Sequence, residues 1–243
     1  ELKLNYQPIY SYGLDTITAF EALLRWESKK HGMVPPCVFI PLAEKCGFIN
    51  QLGDFVIGTS LDFAARIRSQ KKNITVNFNV SPIQFLQPNF AEKLIFKFNS
   101  RLLPGQSIGL EITESYLFED MANLSERLDL IRKAGISISV DDFGTGYSSL
   151  SYLKDLPIDY LKIDRSFTMG IESSEKHIKL IKGVIALAKS LRIEIIAEGI
   201  ETEDQLNTIL RCGCDKIQGF YISKPVNEEE ALAFIGYFRG LRG

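Results

Sequence analysis

The most constraining feature of this chain is its rhythm. After an opening hairpin, short apolar runs of strand character alternate with segments of helical period as far as the C-terminal region. The hairpin is read from residues 2–10, which alternate apolar and polar, a turn at Gly13-Leu14-Asp15, and a second strand over 16–26 in which Ile17, Ala19 and Glu21 share a face. Further strands are expected at 74–80, 108–112, 136–141, 160–163, 194–198 and 216–221. Helices are expected at 39–45, 55–68 and about 90–100, after a loop marked by Pro35 and Pro36. The next carries Leu124, Leu128 and Ile131 on its apolar face, and a short one holds Leu150 and Leu153. Ile178, Ile181, Ile185 and Ala188 stripe another, Thr202-x-x-Gln205 opens the next as a capping box, and 227–239 form the last.

Eight strands result. Regular βα alternation means a parallel sheet covered by helices. In a chain of 243 residues, eight such strands favour closure into a (β/α)8 TIM-like barrel of the α/β class. The hairpin requires the first strand to run antiparallel to the rest. No break in composition divides the chain, so one barrel domain is expected over 1–243. With no initiator Met, it reads as excised from a longer protein.

A net charge of −2 gives no reason to expect binding to a DNA or RNA duplex or to an anionic membrane. No apolar run reaches the roughly 18 residues of a membrane span, so a cytoplasmic domain is expected. Cys37, Cys46, Cys212 and Cys214 lack zinc-ligand spacing and read as buried, reduced thiols; His31 and His177 are isolated and are given no chemistry.

Polar residues recur at the C-terminal strand ends, where barrel active sites form. In order they are Glu21, Asn79, Glu111, Asp141 with Asp142, Lys162, Glu198 and Gln218. One strand end could be polar by chance; seven in a row could not. Five carboxylates against one lysine leave a local charge of −4. Two carboxylates about 4 Å apart repel by roughly 4 kcal/mol at an effective dielectric of 20. Several such pairs approach the roughly 5–15 kcal/mol that stabilises a whole domain. The site must take up protons or cations. Two divalent ions would cancel the charge, and all-oxygen ligands suit Mg²⁺ or Mn²⁺. Paired ions of this kind serve phosphate-ester hydrolysis. Lys162 could hold or deprotonate the attacking water, and Arg25 could clamp a phosphate. The glycines after Asp142 suit a movable lid, although an aspartate pair before a Gly-rich turn can also simply shape that turn.

The motifs resemble those of the EAL domain, the bacterial cyclic di-GMP phosphodiesterase family. They are Glu21-Ala22-Leu23-Leu24-Arg25-Trp26, Phe39-Ile40-Pro41-Leu42-Ala43-Glu44, Asn79-Val80-Ser81 with Gln84, Leu110-Glu111-Ile112-Thr113-Glu114, Asp141-Asp142-Phe143-Gly144-Thr145-Gly146-Tyr147-Ser148-Ser149-Leu150, Leu161-Lys162-Ile163-Asp164, Ala197-Glu198-Gly199 and Gln218-Gly219. The resemblance runs from Tyr6-Gln7-Pro8-Ile9 to Ser223-Lys224-Pro225; Ile200, where the family more often has valine, is a small departure. It implies a barrel with a reversed first strand and hydrolysis of cyclic di-GMP to linear pGpG. By resemblance, Glu21, Asn79, Glu111 and Asp141 hold one ion, and Asp141, Asp142 and Glu198 serve the second. Lys162 and Gln218 position water, Glu114 steadies the loop after Asp142, and Gln7, Leu23 and Arg25 contact the nucleotide. The resemblance further implies a homodimer and regulatory neighbours in a full-length protein, at times behind a membrane anchor. Some family members bind the nucleotide without cleaving it, so a receptor is the alternative; a barrel hydrolase for another phosphodiester is a third reading.

Overall fold

The computed structural model describes residues 1–70, 72–114, 121–144 and 152–242. β1 (Leu2–Ser11) and β2 (Thr16–Ser28) form the expected hairpin, with Gln7 opposite Glu21. A short strand that the sequence did not reveal, β3 (Gly32–Val34), pairs with the end of β2. Three residues are too few to carry a period. α1 (Pro36–Lys45) and α2 (Ile49–Ser69) follow. Pro36 therefore opens a helix instead of lying in a loop, because its fixed φ and missing N–H suit the first turn.

The alternation then settles in. β4 (Thr75–Asn79) leads to α3 (Pro82–Phe85) and α4 (Phe90–Asn99), and β5 (Ile108–Thr113) to α5 (Met121–Lys133). β6 (Ser137–Phe143) is followed by β7 (Tyr160–Ile163), α6 (Arg165–Thr168) and α7 (Glu175–Ser190). β8 (Glu194–Ala197), α8 (Glu203–Arg211), β9 (Lys216–Gln218) and α9 (Glu228–Tyr237) complete the chain. Thr202 and Gln205 make the anticipated capping box on α8. Residues 145–150, including Leu150 of the expected short helix, lie outside the described residues; Leu153 is buried in a 3-10 turn over Tyr152–Lys154.

The ring closes through β1, which is antiparallel to both β2 and β9, while β2 and β4 to β9 run parallel; β3 hangs outside on β2. Outward residues such as Phe20, Phe78, Leu110, Ile138, Leu161 and Ile195 meet the helices through Phe63, Leu94, Leu128, Ile181 and Ile209, all buried. Each such side chain contributes about 1.5–3 kcal/mol by leaving water. Inside the ring, Ile9, Ala19 and Ile196 pack as an apolar layer with Tyr160 against it. Strand side chains alternate faces, so the residues two further along β2 and β8, Glu21 and Glu198, lie one layer nearer the mouth.

β9 ends at Gln218, three residues short of the expected strand. Ile200 N–H donates to the Gln218 carbonyl, Tyr221 N–H donates to that of Ile200, and a Cβ on Gly219 would overlap the Ile200 backbone. The crossing strip of backbone stops the ladder. Cys212 and Cys214 are buried as expected, but Cys37 and Cys46, at the two ends of α1, are exposed. Among the described residues no helix is long and apolar enough to cross a membrane.

Candidate active site

Glu21 on β2, Glu111 on β5, Asp141 on β6 and Lys162 on β7 reach into the mouth of the ring, all buried. Glu198 follows β8 directly and Gln218 ends β9. Lys162 is the hub. Its Nζ lies 3.1 Å from Glu21 Oε2, 2.8 Å from Glu111 Oε2, 3.2 Å from Asp141 Oδ2 and 2.8 Å from Glu198 Oε1. Burial alone would strip its proton, but the charges of Asp141, Glu111, Glu198 and Glu21 prevail and hold it well above the ordinary lysine value.

One ammonium cannot serve four carboxylates equally. Burial, only partly offset by Lys162, holds Glu111 well above the ordinary range and raises Asp141. Burial likewise pushes Glu198 up to about 8, with Lys162 opposing it and Asp141 and Glu21 reinforcing it. For Glu21, burial also pulls upward, but Lys162 and donors on Gln218 and Asn79 outweigh it and the net shift is downward. Asp142 is raised, by burial first and by the Asp141 charge second. Burial thus favours the protonated form of Glu111, Asp141, Asp142 and Glu198, while Glu21 favours the ionised one.

The carboxylates form two groups, Glu21 with Glu111 and Asp141, and Asp141 with Asp142 and Glu198, each with ligand oxygens within 4.8 Å of one another. Consecutive strand residues normally face opposite sides. Asp142 escapes this with a left-handed φ of 55°, and its N–H donates to Asp141 Oδ1 at 2.9 Å. Asn79 Nδ2 donates to Glu21 Oε1 at 2.8 Å, so the amide lies against the first group. The same amide carries an oxygen, a neutral ligand when the group is turned over.

The donor set fits a hard divalent cation, being carboxylate and amide oxygen throughout. Gln218 adds an independent sign. Its Nε2 donates to Glu21 Oε2 at 2.6 Å and to Gln7 Oε1 at 3.2 Å, while its Oε1 is buried with no hydrogen-bond partner among the described residues. A buried acceptor left so costs about 1–3 kcal/mol, which a donated water proton would recover.

Other expected residues are placed less uniformly. Leu23 and Arg25 line a cleft of about 290 Å³ beside Asn79, Ser81 and Thr113. Gln7 is buried, with its Nε2 donating to the Ser223 carbonyl and its Oε1 accepting from Gln218. Buried Glu114 accepts from Gly144 N–H at 2.7 Å. Gly144 has φ of 98°, and a Cβ there would overlap the Phe167 ring, so only glycine fits. Asn77 was missed: its Nδ2 donates to Glu111 Oε1 at 3.0 Å. The available signal was its position two residues before Asn79, on the same inward face of β4. A hollow of about 880 Å³ lined by Tyr12, Glu172 and Arg211 holds none of these groups.

The EAL domain family model matches residues 1–225. The chain belongs to this family. Among characterised relatives, this EAL domain is 36% identical to the bifunctional diguanylate cyclase/cyclic di-GMP phosphodiesterase MucR of Pseudomonas aeruginosa, over 97% of the chain and 34% of that protein. It is 35% identical to the oxygen sensor protein DosP of Escherichia coli, over 95% of the chain and 29% of that protein. The domain therefore spans about a third of the length of these relatives. In three dimensions it superposes on the EAL enzyme Bd1971, bound to cAMP and cyclic di-GMP, with a TM-score of 0.91 and 38% identity, covering 97% of this EAL domain and 65% of that chain. The complex of the PaMucR phosphodiesterase with cyclic di-GMP gives 0.90 and 35%, covering 95% and 94%. These likenesses agree with the reversed first strand and closed ring described above.

Proposed function

We propose that this domain hydrolyses cyclic di-GMP to linear pGpG with Mg²⁺ or Mn²⁺ as cofactor, two ions being needed to balance the acidic mouth. The observation that carries the reading is the cluster of Glu21, Glu111, Asp141 and Glu198 around one buried ammonium, with Asp142 beside it. Glu21, Asn79, Glu111 and Asp141 would hold one ion, and Asp141, Asp142 and Glu198 the other. Bound there, such ions would neutralise phosphoryl oxygens and acidify a water.

The protein's own groups have separable tasks. Lys162, whose charged form the surrounding carboxylates favour in the metal-free fold, would orient the attacking water. Gln218 offers its unpartnered Oε1 to the same water and is held in place by Gln7 and Glu21. Arg25, half-buried in the cleft, would face a phosphate, with Leu23 against the nucleobase. Glu114 steadies the backbone after Asp142 through Gly144. The names of the relatives support cyclic di-GMP as the substrate. A homodimer and regulatory neighbours belong to the same reading.

The test is to incubate the purified domain with cyclic di-GMP and Mg²⁺ or Mn²⁺ and follow pGpG. Metal-dependent product is expected. Tight nucleotide binding without product would instead make the domain a receptor, and equal cleavage of generic phosphodiesters would make it a less selective hydrolase.

A further inference from the structure

β4 puts two asparagines on its inner face. Asn79 sits at the mouth; Asn77 lies one layer deeper, 3% exposed. Its Nδ2 donates to Glu111 Oε1 at 3.0 Å, while Glu111 Oε2 receives the Lys162 ammonium at 2.8 Å. The carboxylate is thus tied at both oxygens. A glutamate side chain turns about three bonds, and without the amide only the lysine contact would fix which way its oxygens face. Barrel interiors are usually filled by Val, Ile or Leu. A buried amide in that layer is costly unless its hydrogen bonds are made.

The neighbouring strand is shaped to receive that amide. Asn77 stands opposite Gly109 on β5. A Cβ on Gly109 would overlap Asn77 Oδ1 and lie 2.7 Å from Ser137 Oγ. Gly109 does not have the left-handed φ that would demand glycine, so the missing side chain supplies space and not backbone freedom.

The geometry points to Asn77 as a positioning residue for Glu111, with Gly109 as the room it needs: the amide anchors one carboxylate oxygen from below so that the other stays turned toward the cation side of the mouth. This rests on the metal-dependent reading given above. It adds a residue that neither coordinates an ion nor touches substrate.

Two substitutions separate this role from simple packing. Asn77→Leu keeps the volume and removes the donor, whereas Gly109→Ala keeps the donor and displaces it. Asn77→Ala serves if either fails to fold. Mn²⁺ binding is measured by calorimetry without substrate, alongside kcat and KM for cyclic di-GMP and the thermal midpoint. Loss of a residue that orients a ligand weakens metal affinity roughly 10–100-fold. At least a tenfold loss of Mn²⁺ affinity is expected in each folded variant, with kcat reduced and KM near that of the parent. Parent-like Mn²⁺ affinity in folded variants, with only the thermal midpoint lowered, would overturn the role of Asn77 and leave the proposed function standing. Failure of the parent domain itself to bind Mn²⁺ would overturn both.

Discussion

Removing divalent cations should make this protein less stable as the pH rises from about 5 to 8, the reverse of ordinary acid sensitivity. The reason is Glu198, whose carboxyl ionises in the unfolded chain near 4.5 but in the fold only near about 8. Between those values the folded form binds the extra proton, so stability is fully present below the unfolded value and is lost as pH climbs through the folded one. At about 1.4 kcal/mol per pH unit the full loss would be about 5 kcal/mol. The side chain is 18% exposed, and water at the rim reduces this to about 2–3 kcal/mol. Glu111, Asp141 and Asp142 are raised as well and act in the same direction. Glu21 is lowered, so its contribution disappears only on acidification and does not compensate in this window. For a chain of this size, about 2–4 °C of midpoint per kcal/mol gives a fall of about 5–10 °C. Thermal unfolding with EDTA, at closely spaced pH values, reads this directly. Saturating Mg²⁺ or Mn²⁺ should flatten the decline, because the ions bind the ionised carboxylates of the folded form. Glu198→Gln should make it shallower without metal, leaving the part due to Glu111, Asp141 and Asp142. A metal-free midpoint that is constant or rises between pH 5 and 8 would refute the electrostatic reasoning.

Three further outcomes follow from single contacts. Glu21→Ala removes a carboxylate that meets Lys162, Asn79 and Gln218, and should cost several orders of magnitude in pGpG formation while circular dichroism shows the fold retained. Glu114→Ala frees the Gly144 N–H and should lower turnover while Mn²⁺ affinity, read by calorimetry, stays close to that of the parent. Gly219→Ala forces a Cβ into the Ile200 backbone and should lower stability in a denaturant titration by about 1–3 kcal/mol, the usual cost of overpacking.

The barrel was legible because short strands rich in Val, Ile and Leu alternate with helical periods, and acidic or basic residues recur near the same end of successive strands. Glu21, Glu111, Asp141 and Lys162 stood out for that reason, and the structure gathers them. The Thr202–Gln205 cap was legible because it obeys a local rule. What escaped depended on space rather than pattern. Asn77 was masked by its neighbour Asn79, since a second inward amide in one strand carries no sign of the Glu111 carboxylate on the adjoining strand. The early end of β9 depends on Ile200, a residue eighteen positions before Gln218 in the chain and beside it in space. The bonds of the Gln7 amide to Ser223 and Gln218 likewise join residues more than two hundred positions apart, which no local pattern announces.

The reversal of β1 closes the barrel through two seams of unequal length. Against β2 that strand is laced along its whole length, but against β9 only from Ile9–Gln218 to Ser11–Lys216. On its other side β9 is held by β8 over only two positions, Ile196–Lys216 and Ala197–Ile217, so if the cylinder breathes it is β9 that loosens, and Gln218 ends that strand at the mouth. Slackening that strand would swing the glutamine away from Glu21, so the most thinly laced strand of the ring also carries a group of the candidate site.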